Sequence, residues 1–148
     1  MSSPVTRDRI RLQAQADDWT GAIRASADLL LREGCITEDY VDAIFASFEK
    51  NGDYMIVVPG VVLSHARPEH GALVTSMSLL TLSAPVPFTP SPGKDISVVF
   101  TLAARDSNEH LNVMRTLAEV LVDDDALAEL TTTTDVERVL ALLGGFQP

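Results

Sequence analysis

The segment Pro59-Gly60-Val61-Val62-Leu63-Ser64-His65-Ala66-Arg67-Pro68-Glu69 sets one imidazole at the end of an apolar run, with a guanidinium two residues on. A neutral imidazole nitrogen attacks phosphorus near pH 7 without first losing a proton, and an arginine offers a planar, permanently charged fork for phosphate oxygens. His65 and Arg67 thus have the types and spacing of a phosphoryl-accepting histidine and its oxygen-binding partner, and the Ser64 hydroxyl is a further candidate for bonding the phosphate. Two other histidines exist, His70 and His110. His70 precedes Gly71 and reads as a turn residue. His110 falls in the first turn of a helix expected to begin near Asn108, where free backbone N–H groups and the positive dipole end favour an anion. Protonated, His110 would donate to a phosphoryl oxygen; neutral, it would orient His65. A loose phosphoryl-transfer transition state asks little more than alignment and donors for three peripheral oxygens.

A competing arrangement gathers His65, His70 and His110 into an open zinc site of hydrolase or lyase type. Against it, no HExxH or other short-spaced ligand pair occurs, and spacing ties no carboxylate to the histidines as a general base. No metal or other cofactor is expected. Cys35, between Gly34 and Ile36, reads as a packing residue.

The elements that must position these groups follow from periodicity. Asp17 or Asp18 caps a helix with Trp19, Ile23, Ala27 and Leu30 inward and Arg24, Asp28 and Arg32 outward, ending at Gly34. Thr37, followed by Glu38 and Asp39, opens a second helix with the stripe Val41, Ile44, Phe45 and Phe48, stopped at Asn51-Gly52-Asp53. Met55-Ile56-Val57-Val58 is a short β-branched run closed by Pro59-Gly60, a strand that delivers the chain to His65. Strands are also expected over 73–83 and 96–103, the latter apolar on both parities and hence central in its sheet. Between them Pro85, Pro87, Pro90, Pro92 and Gly93 read as a rigid exposed connector. Ser107 or Asn108 caps a helix with Leu111, Met114, Leu117, Ala118 and Leu121 inward, and 123–125 opens a short one. Thr134-Asp135-Val136-Glu137 reads as a capping box before Val136, Val139, Leu140 and Leu143, with Gly144-Gly145 ending the fold. The expected fold class is α/β, a single-domain sandwich over 1–148 (core about 10–144) with a small mixed β-sheet flanked by helices.

Composition bounds the partners. The chain carries 11 Lys and Arg against 21 Asp and Glu, a formal charge of −10, and 46% hydrophobic residues. That is an acidic globular protein without the basic stripe needed to neutralise a nucleic-acid backbone. The longest apolar runs, 55–63 and 96–104, reach about half of the ~18 residues of a membrane span. The segment Met1-Ser2-Ser3-Pro4-Val5-Thr6-Arg7-Asp8 lacks the basic-then-apolar order of a signal peptide, and a lone cysteine suits a cytoplasmic address. Neither nucleic-acid binding nor direct membrane insertion is expected, and a homodimer is left open.

The loop around His65 resembles the active-site loop of the enzyme IIA domains of the bacterial sugar phosphotransferase system, mannitol/fructose superfamily, and is most similar to the ascorbate-type branch. Ile10-Arg11-Leu12-Gln13-Ala14 before Trp19, Gly52-Asp53-Tyr54 leading into Met55-Ile56-Val57-Val58-Pro59-Gly60, and Ala103-Ala104-Arg105-Asp106 with His110 match in order and spacing. The resemblance implies that His65 is phosphorylated, with His110 beside it, and that the chain is a phosphotransferase. It also implies receipt of a phosphoryl group from phospho-HPr and onward transfer to a cysteine of enzyme IIB, with a membrane IIC component as an indirect partner. Ascorbate as the transported substrate follows from the branch alone. Two departures stand out: Ser64 where the family usually has Pro, and Glu49-Lys50 where some mannitol-type relatives carry a functional Arg, a role open to Arg67. A IIA-like regulatory domain, whose phosphorylation state controls a partner, would use the same His65 chemistry.

Overall fold

A computed structural model describes residues 4–144. Met1 to Ser3 and Gly145, at the two ends of the sequence reading, lie outside them. Five strands, β1 (Ile10–Ala14), β2 (Ile56–Val58), β3 (Val61–Ser64), β4 (Ser76–Pro87) and β5 (Asp95–Ala103), form one mixed sheet in the order β1-β4-β5-β3-β2. The β1–β4 and β3–β5 pairs are parallel, and β4–β5 and β2–β3 are antiparallel. Helices α1 (Trp19–Leu31) and α2 (Glu38–Asn51) cover one face, and α3 (Ser107–Leu121), α4 (Asp124–Thr132) and α5 (Val136–Leu142) cover the other. This is the mixed α/β sandwich expected from the sequence, with β5 in the middle. Its Ile96, Val98, Val99, Phe100 and Leu102 are all fully buried, as its apolar residues on both parities require.

The first two helices form where their caps place them. The Asp18 carboxylate accepts from the Gly21 N–H at 2.8 Å and Thr37 Oγ1 from the Tyr40 N–H at 3.3 Å. Ile23, Ala27 and Leu30 of α1 and Val41, Ile44 and Phe48 of α2 are buried against the sheet. On the outer side Arg24 pairs with Asp28 at 3.2 Å and Glu38 at 2.9 Å.

Elsewhere the boundaries shift for identifiable reasons. The run 55–63 is a hairpin of two strands, because Pro59-Gly60, with Gly60 at φ 83°, turns the chain back on itself. β1 was not expected at all: five residues at the sheet edge with only Ile10 and Ala14 buried carry little periodicity. Leu73 and Val74 do not belong to β4; they are exposed, and both N–H groups donate to the Cys35 carbonyl. β4 instead continues through Pro85 and Pro87. Pro85 lies in a bulge between Thr81 and Val86, where a missing N–H costs no ladder bond. Only 88–94 remain as the connector, and Phe88 within it is fully buried.

The cap of α3 is Asp106, not Ser107 or Asn108, its carboxylate accepting from the Glu109 N–H at 2.9 Å. Met114, Leu117 and Leu121 pack on the core as expected, Val113 joins them, and Leu111 and Ala118 are exposed. Asp123 caps α4, while α5 is capped by Asp135 rather than Thr134. Val139 and Leu143 are buried as expected. Among the described residues no helix is long and apolar enough to cross a membrane.

Phe88 joins the connector to the core through Trp19, at 4.7 Å between ring centroids, and Phe48 at 5.8 Å. Truncating such a ring removes its transfer free energy and leaves a cavity, so Phe88→Ala is expected to cost about 3–5 kcal/mol. Urea unfolding measures it; a loss below about 1 kcal/mol would show that the connector is not part of the core.

Candidate functional site

His65 and His110 meet because β3 and β5 run parallel. The register pairs Ser64 with Thr101, so both strands end at the same edge of the sheet. His65 is the first residue beyond β3, and β5 leads through Arg105 and Asp106 into α3, whose first turn carries His110. Carboxyl ends of parallel strands are where open α/β sheets commonly hold ligands. The two imidazole centroids are 5.6 Å apart, close enough for one ring to reach an oxygen of a group carried by the other.

His65 is half-buried, and its Nδ1 lies 2.9 Å from the Leu63 carbonyl oxygen. A carbonyl only accepts, so Nδ1 carries the hydrogen and donates it. In the neutral ring Nε2 then holds the lone pair, which makes it the nucleophilic nitrogen.

His110 is half-buried, and burial first, then the charge of His65, hold its pKa below the ordinary 6.5. Its neighbour Glu109 is drawn out of play. The Arg105 guanidinium, at 2.8 Å and 3.2 Å, and the Thr75 hydroxyl donate to its carboxylate, which takes its pKa down to about 2. Thr75 also accepts from the Arg105 N–H at 3.1 Å, fixing the loop that enters α3.

Around the two histidines lies an open groove of about 960 Å³ between α2, the 65–70 loop and the start of α3. Lys50, Arg67 and His70 line it with His65 and His110, and among the described residues no Asp or Glu does. On a chain of net charge −10 this is a local surplus of cationic and hydrogen-bond-donating groups, suited to a phosphoryl group.

The structure thus brings together His65, His110 and Arg67. Ser64 is the exception. Successive residues of a strand face opposite ways, so Ser64 shares with Val62 the interior face under α1 and α2. It is fully buried, and its Oγ has no hydrogen-bond partner and no access to the groove. The expected phosphoryl contact from this hydroxyl is not formed. His70 ends a short 3-10 turn, Pro68–His70, as a turn residue, yet it lines the groove. The three-histidine zinc arrangement does not form: among the described residues no three His, Cys, Asp or Glu side chains are grouped to hold a metal ion. Cys35 is buried, with Arg9 Nη2 at 3.5 Å from its sulfur.

Sequence reasoning missed Tyr54, whose ring lies 6.4 Å from that of His65 while remaining 67% exposed, and the polar lining from Ser47, Asn51 and Ser107. The Gly52-Asp53-Tyr54 match was the one signal near Tyr54, and it names no role.

The lowered pKa of His110 has a thermodynamic consequence. A histidine with a folded-state pKa below its unfolded value contributes stability in full above the unfolded pKa, and that contribution is lost as pH falls through the folded one. Unfolding free energy should fall on acidification below the ordinary imidazole pKa of 6.5, less steeply in His110→Ala. Urea titrations at each pH read both slopes; equal slopes would contradict the buried, neutral His110.

Residues 3–144 match the family described as phosphoenolpyruvate-dependent sugar phosphotransferase system, EIIA 2. The mannitol-specific cryptic phosphotransferase enzyme IIA component of Escherichia coli (strain K12) is 38% identical over 130 residues, covering 86% of each chain. The ascorbate-specific PTS system EIIA component of the same strain is 32% identical over 135 residues, 90% of this chain and 88% of that one. The complex of enzyme IIAMTL and phosphorylated enzyme IIBMTL from Escherichia coli contains a chain that superposes with a TM-score of 0.83 at 26% identity, covering 95% of this chain and 97% of that one. With the family match spanning every described residue and the fold shared with a solved IIA structure, the chain belongs to the EIIA 2 family of the sugar phosphotransferase system and is a phosphotransferase that carries a phosphoryl group.

Proposed function

We propose that this protein is the cytoplasmic phosphocarrier of a sugar transport system, with His65 as the residue phosphorylated. The observation that carries the reading is the bond from His65 Nδ1 to the Leu63 carbonyl, which leaves Nε2 as the nucleophile in a groove lined by cations and, among the described residues, by no carboxylate. The donor is the phosphohistidine of HPr. The Nε2 lone pair forms a bond to phosphorus as the P–N bond of the donor breaks, and the donor imidazole, protonated on its other nitrogen, leaves neutral. The positive charge gained by the His65 ring is shared with Nδ1–H, where the Leu63 carbonyl stabilises it. In the second transfer a cysteine thiolate of enzyme IIB attacks phosphorus, and the electron pair of the breaking bond returns to Nε2. A IIB partner is supported by the complex known for the relative, and a membrane IIC component is reached only through IIB.

His110 and Arg67 are the donors to the peripheral oxygens, with Lys50 at the groove wall. His110 is poised for this by its low pKa. It starts neutral, so it does not repel His65, and the charge of an arriving phosphoryl group raises its pKa. Ascorbate is the substrate we favour, from the motif around His65. The mannitol-named relative has the higher identity, however, and the groove contains nothing that needs to meet a sugar. Transfer from the phosphorylated protein to ascorbate-type and mannitol-type IIB proteins, compared side by side, tests that choice; faster transfer to the mannitol-type partner would reverse it.

Incubation with phosphoenolpyruvate, enzyme I and HPr is expected to add one acid-labile phosphoryl group, read by intact mass, and His65→Ala to add none. Equal phosphorylation of the two would remove His65 from its role. His110→Ala should still be phosphorylated, roughly a hundredfold more slowly, the usual loss for one donor to a transition-state oxygen. An unchanged rate in rapid-quench measurements would show that His110 does not touch the phosphoryl group.

A further inference from the structure

One buried side chain holds the main chain next to His65. Tyr40, in the first turn of α2, is 1% exposed. The Ala66 N–H donates to its hydroxyl at 3.1 Å, and the hydroxyl donates to the Leu102 carbonyl at 2.7 Å, with the Ala66 carbonyl as an alternative acceptor at 3.1 Å. Burial pushes the phenol up to about 12, so it keeps this proton at physiological pH.

The location of that hydroxyl is informative. The β3–β5 ladder is in register up to Ser64 and Thr101. Continued by two residues, it would set Ala66 against Ala103, with a rung from the Ala66 N–H to the Leu102 carbonyl. Tyr40 Oη stands between these two groups and replaces the direct rung. The ladder therefore ends without leaving either group unpaired, and the chain is free to turn into the groove at His65.

The same helix turn holds the far end of the loop. The Thr37 N–H donates to the Gly71 carbonyl at 3.1 Å, and Ile36 bridges to Ala72. Gly71 has φ 127°, and a side-chain carbon there would overlap Thr37 Oγ1, so only glycine fits. The segment 66–71 is thus clamped at both ends by the start of α2, with Arg67, Glu69 and His70 exposed between.

The bond from His65 to Leu63 cannot replace this clamp. It ties the ring to the end of β3 and sets its tautomer, but it holds nothing of the main chain beyond His65. Tyr40 links that segment to β5, and β5 leads into the helix that carries His110.

We propose that Tyr40 is a positioning residue for phosphoryl transfer, its hydroxyl fixing the main chain at Ala66 so that His65 Nε2 meets phosphorus beside His110. The inference rests on the phosphocarrier reading above. Misplacing reacting groups by a fraction of an ångström mainly slows the chemical step.

The test compares wild type, Tyr40→Phe, Gly71→Ala and Ser26→Ala with phospho-HPr as donor, together with amide exchange at Ala66. Ser26 is the control for a lost buried hydrogen bond, because its hydroxyl bonds Thr101, Ser78 and the Val99 carbonyl and no residue of the 66–71 segment. In Tyr40→Phe, kcat is expected to fall roughly tenfold with KM unchanged, and the Ala66 amide to exchange faster. Gly71→Ala, which disturbs the other clamp, should lower kcat with KM unchanged, and it carries the test if Tyr40→Phe does not fold. Ser26→Ala should keep kcat while its melting temperature drops. Wild-type kcat in Tyr40→Phe despite a fast-exchanging Ala66, or an equal loss of kcat in Ser26→Ala, would overturn the proposal. Failure of wild type to be phosphorylated on His65 would instead remove the phosphocarrier reading.

Discussion

The parallel pairing of β3 with β5 is the constraint on which the rest of the site depends. It brings the ends of two strands to one edge of the sheet, and with them two histidines far apart in sequence. Such a pair must be buried on both faces, which α1 and α2 on one side and α3 to α5 on the other provide. Antiparallel β4 completes the arrangement from the other side of β5, because Thr75, just before it, binds both the Arg105 amide and Glu109 at the entry to α3. A one-residue slip of β3 would turn His65 away from the groove and bring Ser64 to its surface.

Charge is distributed to the same end. Among the described residues no Asp or Glu lines the groove, and Glu109, the carboxylate adjacent to His110 in sequence, is held by Arg105 and Thr75. An anion approaching His65 therefore meets Lys50, Arg67 and donor groups. Burial, and then the charge of His65, lower the pKa of His110, which favours its neutral form 5.6 Å from the other imidazole.

Much of this was legible in the sequence where local physics decides the outcome. Asp18 and Thr37 mark helix starts because their side chains cap them, and β5 reads as central because both of its faces are apolar. His65, Arg67 and His110 are marked by residue type and by motif. What tertiary structure decides was not legible. β1 gains its conformation from pairing with β4, and Leu73 and Val74 are apolar yet belong to no strand. Leu111 and Ala118 fit the apolar stripe of α3 yet are exposed, because the sheet covers only the side of the helix that carries Val113 and Leu117. Ser64 could be assigned to the interior only once the register of β3 was known. Tyr40 carries no sequence signal beyond that of a helix residue, since its role depends on where β3 and β5 stop pairing.

In the proposed carrier role, main-chain bonding at His65 dictates which nitrogen accepts the phosphoryl group. Long-range proton–nitrogen spectra of the protein labelled with nitrogen-15 at histidine, recorded before and after phosphorylation, test it most directly. Hydrogen on Nδ1 of His65 in the resting protein, and phosphorus on Nε2 of the same ring afterwards, is the expected result. Phosphorus on Nδ1, or on either ring nitrogen of His70 or His110, would contradict it.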